Sequence, residues 1–186
     1  MTSGAMAVEK PAPALTVVIP AFNEEGAVRE CVEHVARVLA AAGITHEIIV
    51  VDDGSVDRTA DEAAKAPCRV IRQSGNKGYG AALKRGIEEA TSEWVAITDA
   101  DGTYPAEELP RLFLETGDAD MVVGARTGAD VNIPAVRKPA KWFLNRLASY
   151  LAGREIPDLN SGMRVMRRVH VEAYERILPN GFSFTT

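Results

Sequence analysis

LTVVIPAFNEEGAVRECVEHVARVLAAAGITHEIIVVDDGS, Leu15 to Ser55, holds two apolar, β-branched runs on either side of a stretch with helical period. Leu15 to Pro20 reads as a short buried strand that stops at its proline. From about Glu24 to Ala42, Val28, Val32, Val35 and Leu39 recur at a spacing that puts them on one helix face, and Gly43 ends the run. Glu47 to Val51 is a second strand. Strand, helix and strand in this order predict a βαβ unit with parallel strands and a right-handed crossover.

The same alternation continues downstream. Val56 to Ala66 is predicted as a helix with Asp57 as its N-terminal cap, Arg69 to Arg72 as a strand, and Gly78 to Thr91 as a helix. Trp94 to Thr98 is a fourth strand, Pro105 to Thr116 a helix, and Met121 to Gly124 a strand. The expected fold class is therefore α/β, a mostly parallel sheet flanked by helices, with ligands outside the carboxyl ends of the strands. Met1 to Ala14, with Pro11 and Pro13 and no continuous apolar run, is expected to be a flexible tail rather than a signal peptide. Residues 15–186 form one domain in this reading, and the final GFSFTT starts a strand-like run that breaks off, so the domain is expected to be truncated at its C-terminus.

The 186 residues are 46% hydrophobic, enough for one substantial core. The two cysteines read as small core residues, and no Cys/His cluster has metal-site spacing. A net charge of −5 argues against a general nucleic-acid binder, but the charge is unevenly placed. Between Arg126 and Arg176 there are ten Lys/Arg against five Asp/Glu, and elsewhere eleven against twenty-one. An acidic body with a basic C-terminal third suits a metal in one region and a phosphate or anionic surface in the other; a set of solvated helix faces would give the same counts. No run reaches the ~18 apolar residues of a membrane span.

Polar motifs follow the predicted strand ends. AFNEEG, Ala21 to Gly26, comes after the first strand and DDGSVDRT, Asp52 to Thr59, after the second. Asp52 and Asp53 can accept hydrogen bonds from a base or ribose, and Gly54 lets the chain turn close beside a ligand; helix capping is the simpler role for such a run. QSGNKGYGAALKRG is glycine-rich but lacks the Gly-Lys-Ser/Thr of a phosphate loop. ITDADGTYP, Ile97 to Pro105, ends the fourth strand on Asp99 and Asp101, whose hard oxygens suit Mg²⁺ or Mn²⁺ and, through the ion, a diphosphate; a solvated turn is the simpler role for an isolated Asp-Ala-Asp. Lys138 to Arg154 reads as a basic amphipathic helix, fit for core packing or for a membrane surface. His34, His46 and His170 fall where surface or packing roles are expected.

Taken in order, VVIPAFNEE, VVDDGSVDRT, GNKGYGAALKRGI and ITDADGTYP resemble the family 2 glycosyltransferases, nucleotide-sugar-dependent enzymes with the GT-A fold. The basic stretch RKPAKWFLNR, the tripeptide GAR and the segment DLNSGMR are most similar to polyprenyl-phosphate hexosyltransferases of the dolichol-phosphate mannose synthase type. The resemblance implies a hexose moved from a nucleotide-diphosphate sugar to a dolichyl or undecaprenyl phosphate by inverting displacement, with Mg²⁺ or Mn²⁺, at the cytoplasmic face of a membrane. GDP-mannose and UDP-glucose both remain open as donors.

By position, the resemblance implies that Pro20, Ala21, Asn23, Glu24, Asp52, Asp53, Gly54, Lys77, Gly78 and Ala100 line the donor side. Asp99 and Asp101 would hold the metal and diphosphate, with Asp101 the more direct ligand. Arg126 and Arg137 would receive the acceptor phosphate, with Lys138, Ser161 and Arg164 on the same side, which makes Asp101, Arg126 and Arg137 the catalytic set. A phosphate monoester, with a second pKa of about 6, is already largely dianionic near neutral pH and needs no general base. A soluble hydroxyl acceptor would need one, and Asp158 is then the residue to inspect. A non-catalytic nucleotide-sugar-binding module also stays open.

Overall fold

The computed structural model describes residues 12–125, 146–151, 153, 155, 158 and 161–181. Its centre is a six-stranded sheet in the order β3-β2-β1-β4-β6-β5. Those strands are β1 (Leu15–Ala21), β2 (His46–Asp52), β3 (Arg69–Arg72), β4 (Trp94–Ile97), β5 (Met121–Val123) and β6 (Arg164–Arg167). The first four run parallel, with Leu15 opposite His46 on one side and Trp94 on the other. β6 is antiparallel to both β4 and β5. The mostly parallel sheet is therefore as expected, with a reversed strand inserted near one edge.

Every residue of β1 is buried, as befits the middle of a sheet covered on both faces. Alternate side chains serve two cores. Leu15, Val17 and Ile19 meet Val28, Val32, Val35 and Leu39 of helix α1 (Val28–Ala41) on one face. On the other, Val18, Ile49 and Val51 meet Ala82, Leu83 and Ile87 of helix α3 (Tyr79–Glu88). Helix α2 (Thr59–Ala63) and helix α4 (Leu109–Leu114), which follows a 3₁₀ turn at Ala106–Glu108, complete the layers, and helix α5 (Arg168–Tyr174) follows β6.

Element ends differ from expectation for identifiable reasons. α1 begins at Val28 instead of near Glu24, because Glu24 and Glu25 donate their amides to Thr59 Oγ1 and Asp57 Oδ2 of the neighbouring loop. Past its C-terminus Ile44 N–H donates to Leu39 O at 3.0 Å, a Schellman closure at Gly43. Asp57 accepts from Thr59 N–H at 2.9 Å, so it holds the start of α2 from two residues upstream. No strand is predicted within DLNSGMRVMRR. Its RVMR instead pairs with β4, and Arg167 lies 4.8 Å from the centre of the Trp94 ring, opposite it in register. Residues 146–151, within the predicted Lys138 to Arg154 helix, are helical; most of that prediction, including Lys138, lies outside the described residues.

Candidate functional site

Chain order and strand order part company at β1, which has β2 on one side and β4 on the other. α1 leads from β1 to the first neighbour and α3 enters the second, so a crevice opens beyond their carboxyl ends. The loops after β1, β2 and β4 meet there, together with the turn that enters the reversed β6.

The first two loops are stitched to each other. Asn23, at φ 58, donates its amide to Ser55 Oγ at 2.9 Å and accepts from Val56 N–H through Oδ1 at 3.0 Å. Glu24 N–H reaches Thr59 Oγ1 at 2.7 Å, and Arg58 N–H reaches Glu25 Oε2 at 3.1 Å. Hydrogen bonds from Thr59 hold Asp57 below the usual carboxylate range. Asn23, expected on the donor, is engaged between loops and shapes the pocket by fixing its wall. Pro20 and Ala21 lie in β1 opposite Val51 and Asp52, both buried.

Asp52 and Asp53 are both nearly fully buried, yet differently employed. Asp52 Oδ1 accepts the Ser55 amide at 3.1 Å, closing the DDGS turn. Asp53 accepts Lys77 N–H on Oδ1 and Gly78 N–H on Oδ2, each at 2.8 Å. Both oxygens clamp the glycine-rich loop, and the lone pairs they keep are left for the role expected of Asp53 on the donor side. Gly54 lies where that loop presses closest, for a Cβ there would meet the Gly75 backbone at 2.5 Å, and its φ is +74. Lys77 and Gly78 thus enter the site through their backbone, with the Lys77 side chain on an exposed residue.

After β4 the chain behaves otherwise. Asp99 is half-buried and its Oδ1 accepts the Tyr79 hydroxyl at 2.9 Å, while Ala100 is buried and Asp101 exposed. Asp101 Oδ1 receives the Thr103 amide at 2.9 Å. Burial, and then the charges of Asp101, Asp57 and Asp99, raise the Glu24 carboxyl above its ordinary value. Burial and the same two aspartates of the β4 loop push the Cys31 thiol up to about 11, and its Sγ lies 3.5 Å from Asp99 O. Negative charge therefore converges on this end of the crevice, where a cation would relieve it.

The turn entering β6 closes over the same point. Gly162 N–H donates to Tyr104 Oη at 2.6 Å. A Cβ on Gly162 would stand 2.8 Å from Tyr104 Cε2 and 3.0 Å from Asp99 Oδ2. Ser161, expected to line the acceptor cavity, is fully buried and donates its hydroxyl to the Gly124 carbonyl, so it ties the end of β5 to this turn. Arg164 is also buried, with Nε and Nη2 directed to Ser161 O at 3.0 and 2.8 Å. Burial lowers its guanidinium's pKa, opposed by Tyr79, Tyr104 and Asp158. Arg126, Arg137 and Lys138 lie outside the described residues.

Sequence reading did not assign Tyr79, Tyr104, Ser55, Thr59 or Gly162. Each stands inside a quoted motif, but its partner lies on another loop, and no local pattern announces that. The histidines are peripheral: His34 Nε2 is 2.9 Å from Glu107, His46 bonds Ile44 O, and His170 is 3.3 Å from Asp120.

The chain matches the family model described as Glycosyl transferase family 2 over residues 16–175. It is 38% identical over 164 residues to the low-salt glycan biosynthesis hexosyltransferase Agl6 of Haloferax volcanii, covering 84% of this chain and 39% of that protein. It is 34% identical over 180 residues to a dolichol-phosphate mannosyltransferase of Pyrococcus furiosus, covering 90% and 50%. The chain spans about half the length of the curated relatives it matches. Among solved structures, glucosyl-3-phosphoglycerate synthase from Mycobacterium tuberculosis, crystallised with Mn²⁺, UDP and glucosyl-3-phosphoglycerate, superposes with a TM-score of 0.65 at 22% identity, covering 84% of this chain and 57% of that one. That likeness carries the GT-A fold expected from the sequence.

Proposed function

The chain belongs to glycosyl transferase family 2, and from that premise we propose that it moves a hexose from a nucleotide-diphosphate sugar to a polyprenyl phosphate. The observation that carries the reading is the pair Asp99 and Asp101 at the carboxyl end of β4, where their charge and that of Asp57 already act on Glu24. The named relatives, a hexosyltransferase and a dolichol-phosphate mannosyltransferase, support the acceptor class.

The donor set fits a divalent ion of the Mg²⁺ or Mn²⁺ kind. Among the described residues no group of three or more His, Cys, Asp or Glu side chains is placed to hold a metal. Two carboxylates are the usual protein share for Mg²⁺, with substrate phosphates and water completing the shell. Asp101, being exposed, would be the direct ligand, and Asp99 would stand beside it. When bound, the ion neutralises charge on the departing nucleoside diphosphate.

The chain's own residues do the rest. The stitched loops of Asn23, Asp52 and Asp53 hold the nucleotide, and Gly54, Lys77, Gly78 and Ala100 shape its wall with backbone. Arg126 and Arg137, with Lys138, would grip the acceptor phosphate, since guanidinium forks match its oxygens. The ionised phosphate oxygen attacks the anomeric carbon in line as the diphosphate leaves, which inverts that centre without a base. Asp158 is buried and its charge acts on the buried Arg164, a poor arrangement for a base that must meet a hydroxyl acceptor. Among the described residues no helix is long and apolar enough to cross a membrane. The lipid-linked acceptor of the proposed reaction is what puts the domain at the cytoplasmic face of a membrane in this reading.

The test incubates purified protein with GDP-mannose or UDP-glucose, Mn²⁺ or Mg²⁺, and short-chain polyprenyl phosphates. Lipid-linked hexose is the expected product. Transfer confined to soluble hydroxyl compounds, or donor binding without transfer to anything, would sink the proposal.

A further inference from the structure

Tyr79 opens α3 and Asp99 follows β4, yet the tyrosine hydroxyl donates to Asp99 Oδ1 at 2.9 Å. Against the other side of this carboxylate the Gly162 backbone packs so closely that a Cβ would stand 3.0 Å from Oδ2. Asp101, two residues on, is exposed, and the bond its Oδ1 accepts comes from the local Thr103 amide. One carboxylate is thus clamped between two other segments, and the other stands in solvent. A side chain already held in one rotamer gives up little entropy when it receives a ligand, whereas a free one loses more.

Tyr79 is also the residue after Gly78, whose amide is held by Asp53. The nucleotide-side loop and the β4 carboxylate are therefore joined through one residue. We propose that Tyr79 is a positioning residue whose hydroxyl fixes Asp99 for the divalent cation of a metal–nucleoside diphosphate, coupling the glycine-rich loop to the metal. The proposal rests on the reading that Asp99 and Asp101 take the metal. It differs from that reading in assigning the geometry of Asp99 to a ring 20 residues upstream, at the start of α3.

Tyr79→Phe keeps the ring and removes the hydroxyl. Mn²⁺ is titrated into the protein in the presence of GDP or UDP, without acceptor, and free Mn²⁺ is followed by electron paramagnetic resonance. The expected result is Mn²⁺ binding weaker by about 10- to 100-fold, in the range for one hydrogen bond to a charged group. The melting temperature without metal stays within about 3 °C of the parent. In an Asp99→Asn background the same change shifts the titration by less than about twofold, because its target is gone. Equal shifts in both backgrounds, or a Tyr79→Phe curve that overlays a binding parent, overturn the positioning role and leave the metal reading standing. A parent that takes up no Mn²⁺ with either nucleotide overturns the metal reading, and the positioning role with it.

Discussion

The loops after β1 and β2 contrast with the loop after β4. In the former, side chains are consumed by each other: Asn23 by Ser55 and Val56, Glu25 by Arg58, Asp53 by Lys77 and Gly78. In the latter, Asp101 stays exposed, and its charge and that of Asp99 reach across unrelieved to Glu24 of the β1 loop. Polar residues at strand ends thus divide into those that build the cavity wall and those left for a ligand. Residue type does not separate them, since aspartates occur in both groups; their hydrogen-bond partners do.

That division is most severely tested at Asp101. Asp101→Ala should lower transfer by about 100-fold or more while the melting temperature stays near the parent's, because an exposed carboxylate supports little of the fold. Activity close to the parent's would dissolve the contrast. Asp53→Ala should do the reverse in kind: two backbone amides lose buried partners, destabilising the protein by about 2–4 kcal/mol in urea denaturation, with the donor KM rising as the glycine-rich loop loosens. A stable variant that has lost only donor affinity would assign Asp53 to direct binding instead.

Gly162→Ala comes next. Its methyl must displace Tyr104 or Asp99, so a kcat reduced by about tenfold is expected, with stability lowered by about 1–3 kcal/mol. Unchanged kcat would mean that the turn is not coupled to the metal carboxylates. Glu24→Gln is the smallest effect. The Glu24 carboxyl is raised in the folded protein, so the folded state favours its protonated form and loses stability as pH rises above the ordinary carboxylate value of 4.5. The glutamine variant should therefore melt slightly higher than the parent at neutral pH, and the gap should close below about pH 4, where the parent is protonated too. Metal with nucleotide should narrow the same gap. A gap that ignores pH would assign Glu24 a packing role instead.

Much of this was legible in the sequence because it is local. Burial on both faces makes β1, β2 and β4 read as apolar runs, and Val28, Val32, Val35 and Leu39 declare α1 by spacing alone. β6 was not legible: four residues, two of them arginine, give no periodicity, and its place between β4 and β5 depends on pairing across some seventy positions with Trp94. Likewise the carboxylate pair was visible as a spacing, whereas the clamp on one member was not. Tyr79 and Gly162 reach Asp99 from 20 and 63 residues away, and only the assembled crevice brings them to it.

The amino end of α3 has a consequence for charge. Gly80 and Ala81, whose amides open that helix, already donate to the carbonyls of Gly181 and Asn180 at 2.9 and 3.1 Å, and Lys84 Nζ secures the same strand of chain through Leu178 O. Nucleotide proteins of other α/β lineages often lay a phosphate on such amides and let the helix dipole carry the load. In this molecule that berth is filled by its own late backbone. Under the proposed function the donor's diphosphate would then depend on an external cation, and chelation is expected to abolish transfer outright instead of slowing it.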